Sequence, residues 1–291
     1  MRTVGLLIVV FTAINLFAQK DQQLSNKVLD YQTGTIQLGN GMAQINLGKG
    51  YKYLNPSQTD FVLVNLWGNP PDLKTMGMIL PAGWTPADTD SWAVVVRYEE
   101  EGYVKDKDAI KIDYDGLLKK MQKATTQRNE ERLKNGYESI DLVGWAEKPF
   151  YDSAAKKLYW AKELKFGNNP ENTLNYDVRI LGRKGYLVLT VVSKMGQISA
   201  IKPFMPEIVR SADFLAGHRY SEFDPKVDKV AAYGIAGLVA GGLLVKAGFF
   251  KLIIAGIIAL KKFIIIGLIA LVAVLSKFFR KKSVEETYMK Q

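Results

Sequence analysis

Leu174-Asn175-Tyr176-Asp177-Val178-Arg179-Ile180-Leu181, then Gly182-Arg183-Lys184-Gly185 and the run Tyr186 to Ser193, is the stretch that decides the fold class. Leu174, Tyr176, Val178 and Ile180 alternate with Asn175, Asp177 and Arg179, the period of two expected of a strand with unlike faces. The glycine-flanked turn leads into a continuous apolar run, which suits a central strand covered on both sides. Two such strands joined by a four-residue turn pair antiparallel.

Working outward, strands dominate both flanks. Ile140 to Glu147 and Leu158 to Phe166 precede the pair, and Trp92, Val94, Val96 and Tyr98 line one face of an earlier strand. Thr35 to Leu38 and Ala43 to Leu47 alternate around Asn40-Gly41, a strong hairpin signal. Helices enter singly. Ser57 to Leu66 reads as one, stopped at Gly68-Asn69-Pro70-Pro71 because proline cannot continue it. Asp113 to Leu133 reads as the longest, with Tyr114, Leu117, Leu118, Met121 and Ala124 as its buried stripe and Thr125 to Glu131 solvated. A last helix spans Pro203 to Ala212 and buries Met205, Ile208 and Val209. This order predicts an α+β domain on an antiparallel sheet with a few packed helices.

The ends differ in kind. Arg2 followed by the apolar stretch Val4 to Ile14 and a small residue at Ala18 reads as a signal peptide over 1–18, with an uncleaved anchor as the alternative. Residues 19–229 then form the exported domain. At the other end, apolar runs cover Val230 to Val245, Leu252 to Leu260 and Phe263 to Ser276. A perpendicular span needs about 20 residues, so 230–250 serves as a transmembrane helix if Lys246 snorkels. Taking 251–276 as a further span would place Lys261 and Lys262 at its middle, at a cost of about 6 kcal/mol for the two. That segment is re-entrant, interfacial or a second span. The tail 277–291 carries Lys277, Arg280, Lys281 and Lys282, which a single preceding span would leave on the cytoplasmic side. Gly237 and Gly241 form a GxxxG pattern suited to close helix–helix packing.

Charge fits the same picture. The chain has 291 residues and a net charge of +10, one histidine and no cysteine. From Val230 onward nine basic residues face two acidic ones, so most of the excess flanks apolar segments and none of it argues for nucleic acid as a partner. Without cysteine there is no disulfide framework or thiolate nucleophile. No fingerprint for a cofactor is present, and none is expected.

Several elements together resemble a known family. They are Trp67-Gly68-Asn69-Pro70-Pro71, Gly102-Tyr103-Val104, Ile112-Asp113-Tyr114-Asp115, Leu142-Val143-Gly144-Trp145-Ala146, Trp160-Ala161-Lys162-Glu163-Leu164, Leu174 to Arg179, and Asp228-Lys229-Val230-Ala231-Ala232-Tyr233-Gly234. In order and spacing they are similar to the bacterial membrane-anchored family catalogued as domain of unknown function 2167. The resemblance implies an exported domain with a C-terminal anchor and brings no activity or site residues. The element order is also similar to the α/β sandwich of photosystem accessory protein P, by analogy only.

Candidate sites follow from residue type. Trp67, Asn69, Trp145, Trp160, Tyr176, Asp177 and Arg179 would line a polar-aromatic pocket for a ligand, or else divide into core tryptophans and a surface ion pair. Asp106, Asp108, Asp113 and Asp115 would hold a hard cation, or simply form a solvated turn before a helix N-terminus. His218 stands alone without a nucleophile beside it. No catalytic residue and no metal ligand is assigned. The expected function is a non-enzymatic binding or assembly module in the bacterial inner (cytoplasmic) membrane, its main domain facing the periplasm or exterior. Its partners would be the lipid bilayer and a further copy or another membrane protein. A channel-like transport assembly and an envelope enzyme are the alternatives.

Overall fold

The computed structural model describes residues 29–71, 73–88 and 90–241. The expected signal peptide 1–18, the second apolar segment 251–276 and the tail 277–291 lie outside the described residues, as does 242–250 of the expected span. Ten strands form two antiparallel sheets. The larger has seven strands in the order β3(Tyr51–Leu54), β4(Thr75–Pro81), β5(Ala93–Glu99), β9(Tyr186–Lys194), β8(Thr173–Leu181), β7(Lys157–Phe166), β6(Ile140–Asp152). The smaller has the order β1(Thr35–Leu38), β2(Ala43–Asn46), β10(Ala212–Phe214).

The hairpin between β1 and β2 forms as its Asn-Gly turn predicts, with Asn40 and Gly41 both at positive φ. The turn at 182–185 joins β8 to β9, and Leu181 pairs with Tyr186. β6 is an edge strand and its pairing with β7 shifts register three times, which twists the edge away from further pairing.

Five α-helices accompany the sheets among the described residues. α1 (Pro56–Phe61) is capped by Asn55 and continues as a π-helical turn over Val62–Leu66. α2 (Tyr114–Lys134) starts at Asp113, whose carboxylate accepts from the Gly116 N–H at 2.9 Å. α3 (Ile198–Ile201) and α4 (Met205–Ser211) replace the single helix expected over Pro203 to Ala212. Pro203 and Pro206 supply no backbone N–H, so the segment breaks into short pieces around a 3₁₀ turn. α5 (Ile235–Ala240) ends at Gly241, whose φ is 66°.

Three layers result. On one face of the large sheet, the small sheet with α3 and α4 closes a core containing Ile45, Val94, Tyr176, Val178, Leu189 and Ile208. On the other face, α1 covers Met78, Leu80 and Val95 near one edge. α2 and α5 cover Leu142, Leu158 and Trp160 near the other edge. Between these two apolar clusters, on the same face, runs a row of polar side chains.

The second half of α2 is solvated at Thr126, Gln127, Glu130 and Glu131 as expected, but not throughout. Thr125 is buried and its hydroxyl returns to the Met121 carbonyl at 2.9 Å. Asn129 clamps the start of β6, donating to the Ile140 carbonyl at 2.9 Å and accepting from the Ile140 N–H at 2.8 Å. β3 and β4 carry no clear alternation, because Thr75–Pro81 is buried almost throughout and interrupted by Gly77 at a register shift. The folded unit continues past residue 229, since Ile235, Leu238 and Val239 belong to the α2-side core. Among the described residues no helix is long and apolar enough to cross a membrane.

Candidate functional site

The polar row is built by strand registry. Asp177 on β8 lies opposite Trp160 on β7 and Thr190 on β9. Asn175 and Arg179 flank it on its own strand, two residues away and therefore on the same face. Lys162, opposite Asn175, reaches diagonally across. Arg97 on β5 sits in the row of Arg179, one strand removed through Val188.

Asp177 is the hub. Its carboxylate lies 2.7 Å from the Lys162 ammonium and 3.3 Å from the Arg179 guanidinium, and accepts from the Thr190 hydroxyl at 2.8 Å. Arg179 also lies over the Trp160 ring, 4.8 Å from its centroid. Arg97 pairs with Glu99 at 2.9 Å. Burial alone would push the Asp177 carboxyl up, but Lys162 and Arg179 more than offset it and hold it below the usual carboxylate range. The surface ion pair expected of Asp177 and Arg179 is therefore a buried one: Asp177 is 2% exposed and Arg179 7%.

Beside this neutralised hub, three groups lack partners among the described residues. Asn175 is 1% exposed, and neither its amide oxygen nor its amide nitrogen is hydrogen-bonded. The Trp160 indole N–H and the Arg97 Nε are likewise unpartnered. Buried polar atoms are paired in more than about nine cases in ten, so three on one face form a coherent exception.

Chemically the row offers recognition. A carboxylate held ionised between two cations gives up no proton near neutrality, whereas a general acid or base works best with a pKa near the working pH. Unpartnered amide and indole groups give directional donors and acceptors in a low-dielectric setting, where a hydrogen bond counts for most.

The seven predicted pocket residues do not all converge. Trp160, Asp177 and Arg179 come together, joined by Lys162, Thr190, Asn175 and Arg97, which residue type alone does not assign to the pocket. Tyr176 projects to the opposite face, into the core against the small sheet. Trp67 donates to the Pro86 carbonyl at 3.0 Å and Asn69 to the Leu63 carbonyl at 3.0 Å, finishing α1 within its own core. Trp145 is half-buried on β6 and donates to the Tyr114 carbonyl at 3.2 Å. Lys162 was legible in principle: it interrupts the face of β7 that Leu158, Trp160 and Leu164 otherwise keep apolar.

The four aspartates separate. Asp106 takes Lys156 and Tyr151, Asp108 caps α5 through the Ile235 and Ala236 N–H groups, Asp113 caps α2, and Asp115 meets Lys148. Among the described residues no cluster suited to a metal ion forms. His218 is tied through its backbone, its carbonyl accepting from the Arg183 N–H at 2.9 Å.

Gly237 and Gly241 lie in and just beyond α5. A Cβ at Gly237 would meet the Tyr233 side chain at 2.6 Å, so this glycine has a local packing role. The quoted sequence elements also converge in space. Tyr103 exchanges backbone hydrogen bonds with Lys229 and Ala231, Gly102 donates to Lys184, and Arg183 meets Asp228 at 2.6 Å. The Arg183 hydrogen bond holds the Asp228 carboxyl below its usual range.

Similarity to solved structures is limited to distant likenesses. The solution structure of cyanobacterial PsbP (CyanoP) from Synechocystis sp. PCC 6803 aligns at 7% identity, covering 65% of this chain and 94% of that one, with a TM-score of 0.36. The Ran-binding protein Mog1p of Saccharomyces cerevisiae aligns at 11% identity, covering 67% of this chain and all of that one, with a TM-score of 0.33. The search of curated proteins returns no match. A family model matches residues 30–272, and the chain accordingly belongs to the family described as protein of unknown function (DUF2167).

Proposed function

We propose that this chain is a non-enzymatic binding module of the bacterial envelope, exported behind the 1–18 leader and tethered to the inner membrane by the apolar runs Leu252 to Leu260 and Phe263 to Ser276. The apolar runs support the tether, and the cluster Lys277, Arg280, Lys281 and Lys282 supports a cytoplasmic tail. The observation that carries binding over catalysis is Asn175. Its amide is buried and unpartnered next to a carboxylate already neutralised by Lys162 and Arg179. An unmet buried amide costs about 1–3 kcal/mol, which a second protein chain would recover by supplying its partners once the layer over the row opens. That chain is a further copy or another membrane protein.

Native mass spectrometry of the full-length chain, gently extracted from its own membrane, tests this. The wild type should run as a defined complex, and Asn175→Leu should release the partner while unfolding no earlier than the wild type. A bare monomer in both cases, or a complex indifferent to Asn175, overturns the reading.

A further inference from the structure

Away from the polar row, on the opposite side of the large sheet, a second concavity of about 390 Å³ opens between the start of β3, the loop before β5 and the α3–α4 segment. Four aromatic residues line it. Tyr51 and Trp92 meet edge to face at 6.3 Å, and Trp92 lies 6.0 Å from Phe204. Trp84 closes the rim. Trp84 and Phe204 are among the few large apolar side chains left exposed, at 37% and 46%.

The polar lining is acidic. Asp90 and Glu207 both face the cleft. Lys194 bridges Asp90 at 3.2 Å and Glu171 at 3.5 Å. Tyr51 is 5% exposed, yet its hydroxyl has no partner among the described residues. Burial, then the nearby Glu207, pushes that hydroxyl up to about 12, so it stays protonated and keeps a lone pair for a donor.

We infer that this cleft binds a protonated amine or guanidinium carried on an apolar stem, the chemistry of a lysine or arginine side chain. The ring faces of Tyr51, Trp84, Trp92 and Phe204 attract a cation through their quadrupoles and shed water around its stem. Asp90, Glu207 and the Tyr51 hydroxyl accept its N–H groups, which a purely apolar guest or a quaternary ammonium would leave unused. At about 390 Å³ the cleft is roomy enough for such a side chain together with part of the segment that carries it. The inference goes beyond the proposed binding of a partner at the polar row, and it uses none of that row's residues.

The test is a titration of the full-length chain in a non-ionic detergent with n-butylammonium chloride, at ionic strength matched with sodium chloride. The readout is the tryptophan indole N–H resonances. Those of Trp84 and Trp92 should move saturably while those of Trp67, Trp145 and Trp160 stay in place. Butan-1-ol, the neutral isostere, should bind about tenfold more weakly, in line with the strength of a cation–π contact backed by carboxylates. Glu207→Gln and Phe204→Ala both change exposed positions, and each should weaken binding several-fold with the fold retained. Equal binding of butan-1-ol overturns the proposal in favour of an apolar cleft. Chitobiose moving the same two resonances while butylammonium leaves them unmoved overturns it in favour of a sugar site. No movement of Trp84 and Trp92 with any of the three overturns it outright. Because Asn175 and Asp177 lie on the other face, each of these outcomes leaves the partner-release experiment with its own answer.

Discussion

Replacing Asp177 by asparagine preserves shape and removes one charge. The wild-type row holds Lys162, Arg179 and Arg97 against Asp177 and Glu99, and every distance from Asp177 to a cation is 3.3 Å or less. In the variant, Lys162 and Arg179 sit at 4% and 7% exposure with no carboxylate between them. Breaking a buried ion pair this way costs about 3–5 kcal/mol, a large share of a total stability of about 5–15 kcal/mol. For a domain of this size each kcal/mol moves the midpoint by about 2–4 °C, so the melting temperature should fall by about 6–20 °C. Urea and thermal unfolding followed by far-ultraviolet circular dichroism measure both quantities. The triple variant Lys162→Met, Asp177→Leu and Arg179→Met should recover most of the loss, because packed apolar groups can replace a whole buried ion cluster at little cost. The pH dependence has a definite sign. The folded carboxyl titrates below the ordinary value of about 3.9, so its contribution is present above that value and is lost as pH falls through the depressed one. Asp177→Asn should therefore show a shallower loss of stability below about pH 4 than the wild type. A loss under about 1 kcal/mol at pH 7, or acid limbs of equal slope, refutes the reasoning.

Other perturbations probe separate parts of the fold. Asn175→Leu should raise stability by about 1–2 kcal/mol in chemical denaturation of the isolated chain, since it deletes a buried amide with no partner. Gly77→Ala should cost about 3 kcal/mol, because Gly77 sits at φ 129° in the β4 bulge and an added Cβ would collide with the Tyr53 ring. Asn129→Ala should lose about 1–3 kcal/mol and expose the Ile140 amide to faster hydrogen exchange, since both its hydrogen bonds to that residue disappear. Asp108→Ala should lower stability by about 1 kcal/mol and raise exchange at the Ile235 and Ala236 amides, which it now caps at 3.0 and 3.1 Å.

Much of the fold was legible because it is encoded locally. Period-two alternation placed β5 and β8, the continuous apolar run after the glycine-flanked turn placed β9, the Asn-Gly turn placed the first hairpin, and Asp113 marked the start of α2. β3 and β4 were not legible: both are buried almost throughout, and a strand buried on both faces shows no period. The site was half legible. Alternation put Asn175, Asp177 and Arg179 on one face and Tyr176 on the other, which already separates Tyr176 from the rest. A polar face reads the same whether water or a packed layer covers it, so only the helices on either side of the row reveal its burial.

What the sequence by itself determined is the antiparallel α+β framework, the shared face of Asp177 and Arg179, and the chain's membership of its family through ordered short elements. The tertiary structure alone decided that Lys162 and Thr190 complete the hub and that Asn175 is left unmet. It also decided that Gly102-Tyr103 meets Lys229-Val230-Ala231, and that four aromatics with two carboxylates form a cleft. The reason is physical. Local periodicity records which way a side chain points, whereas burial, pairing and concavity depend on segments far apart in the chain that only the packed layers bring together.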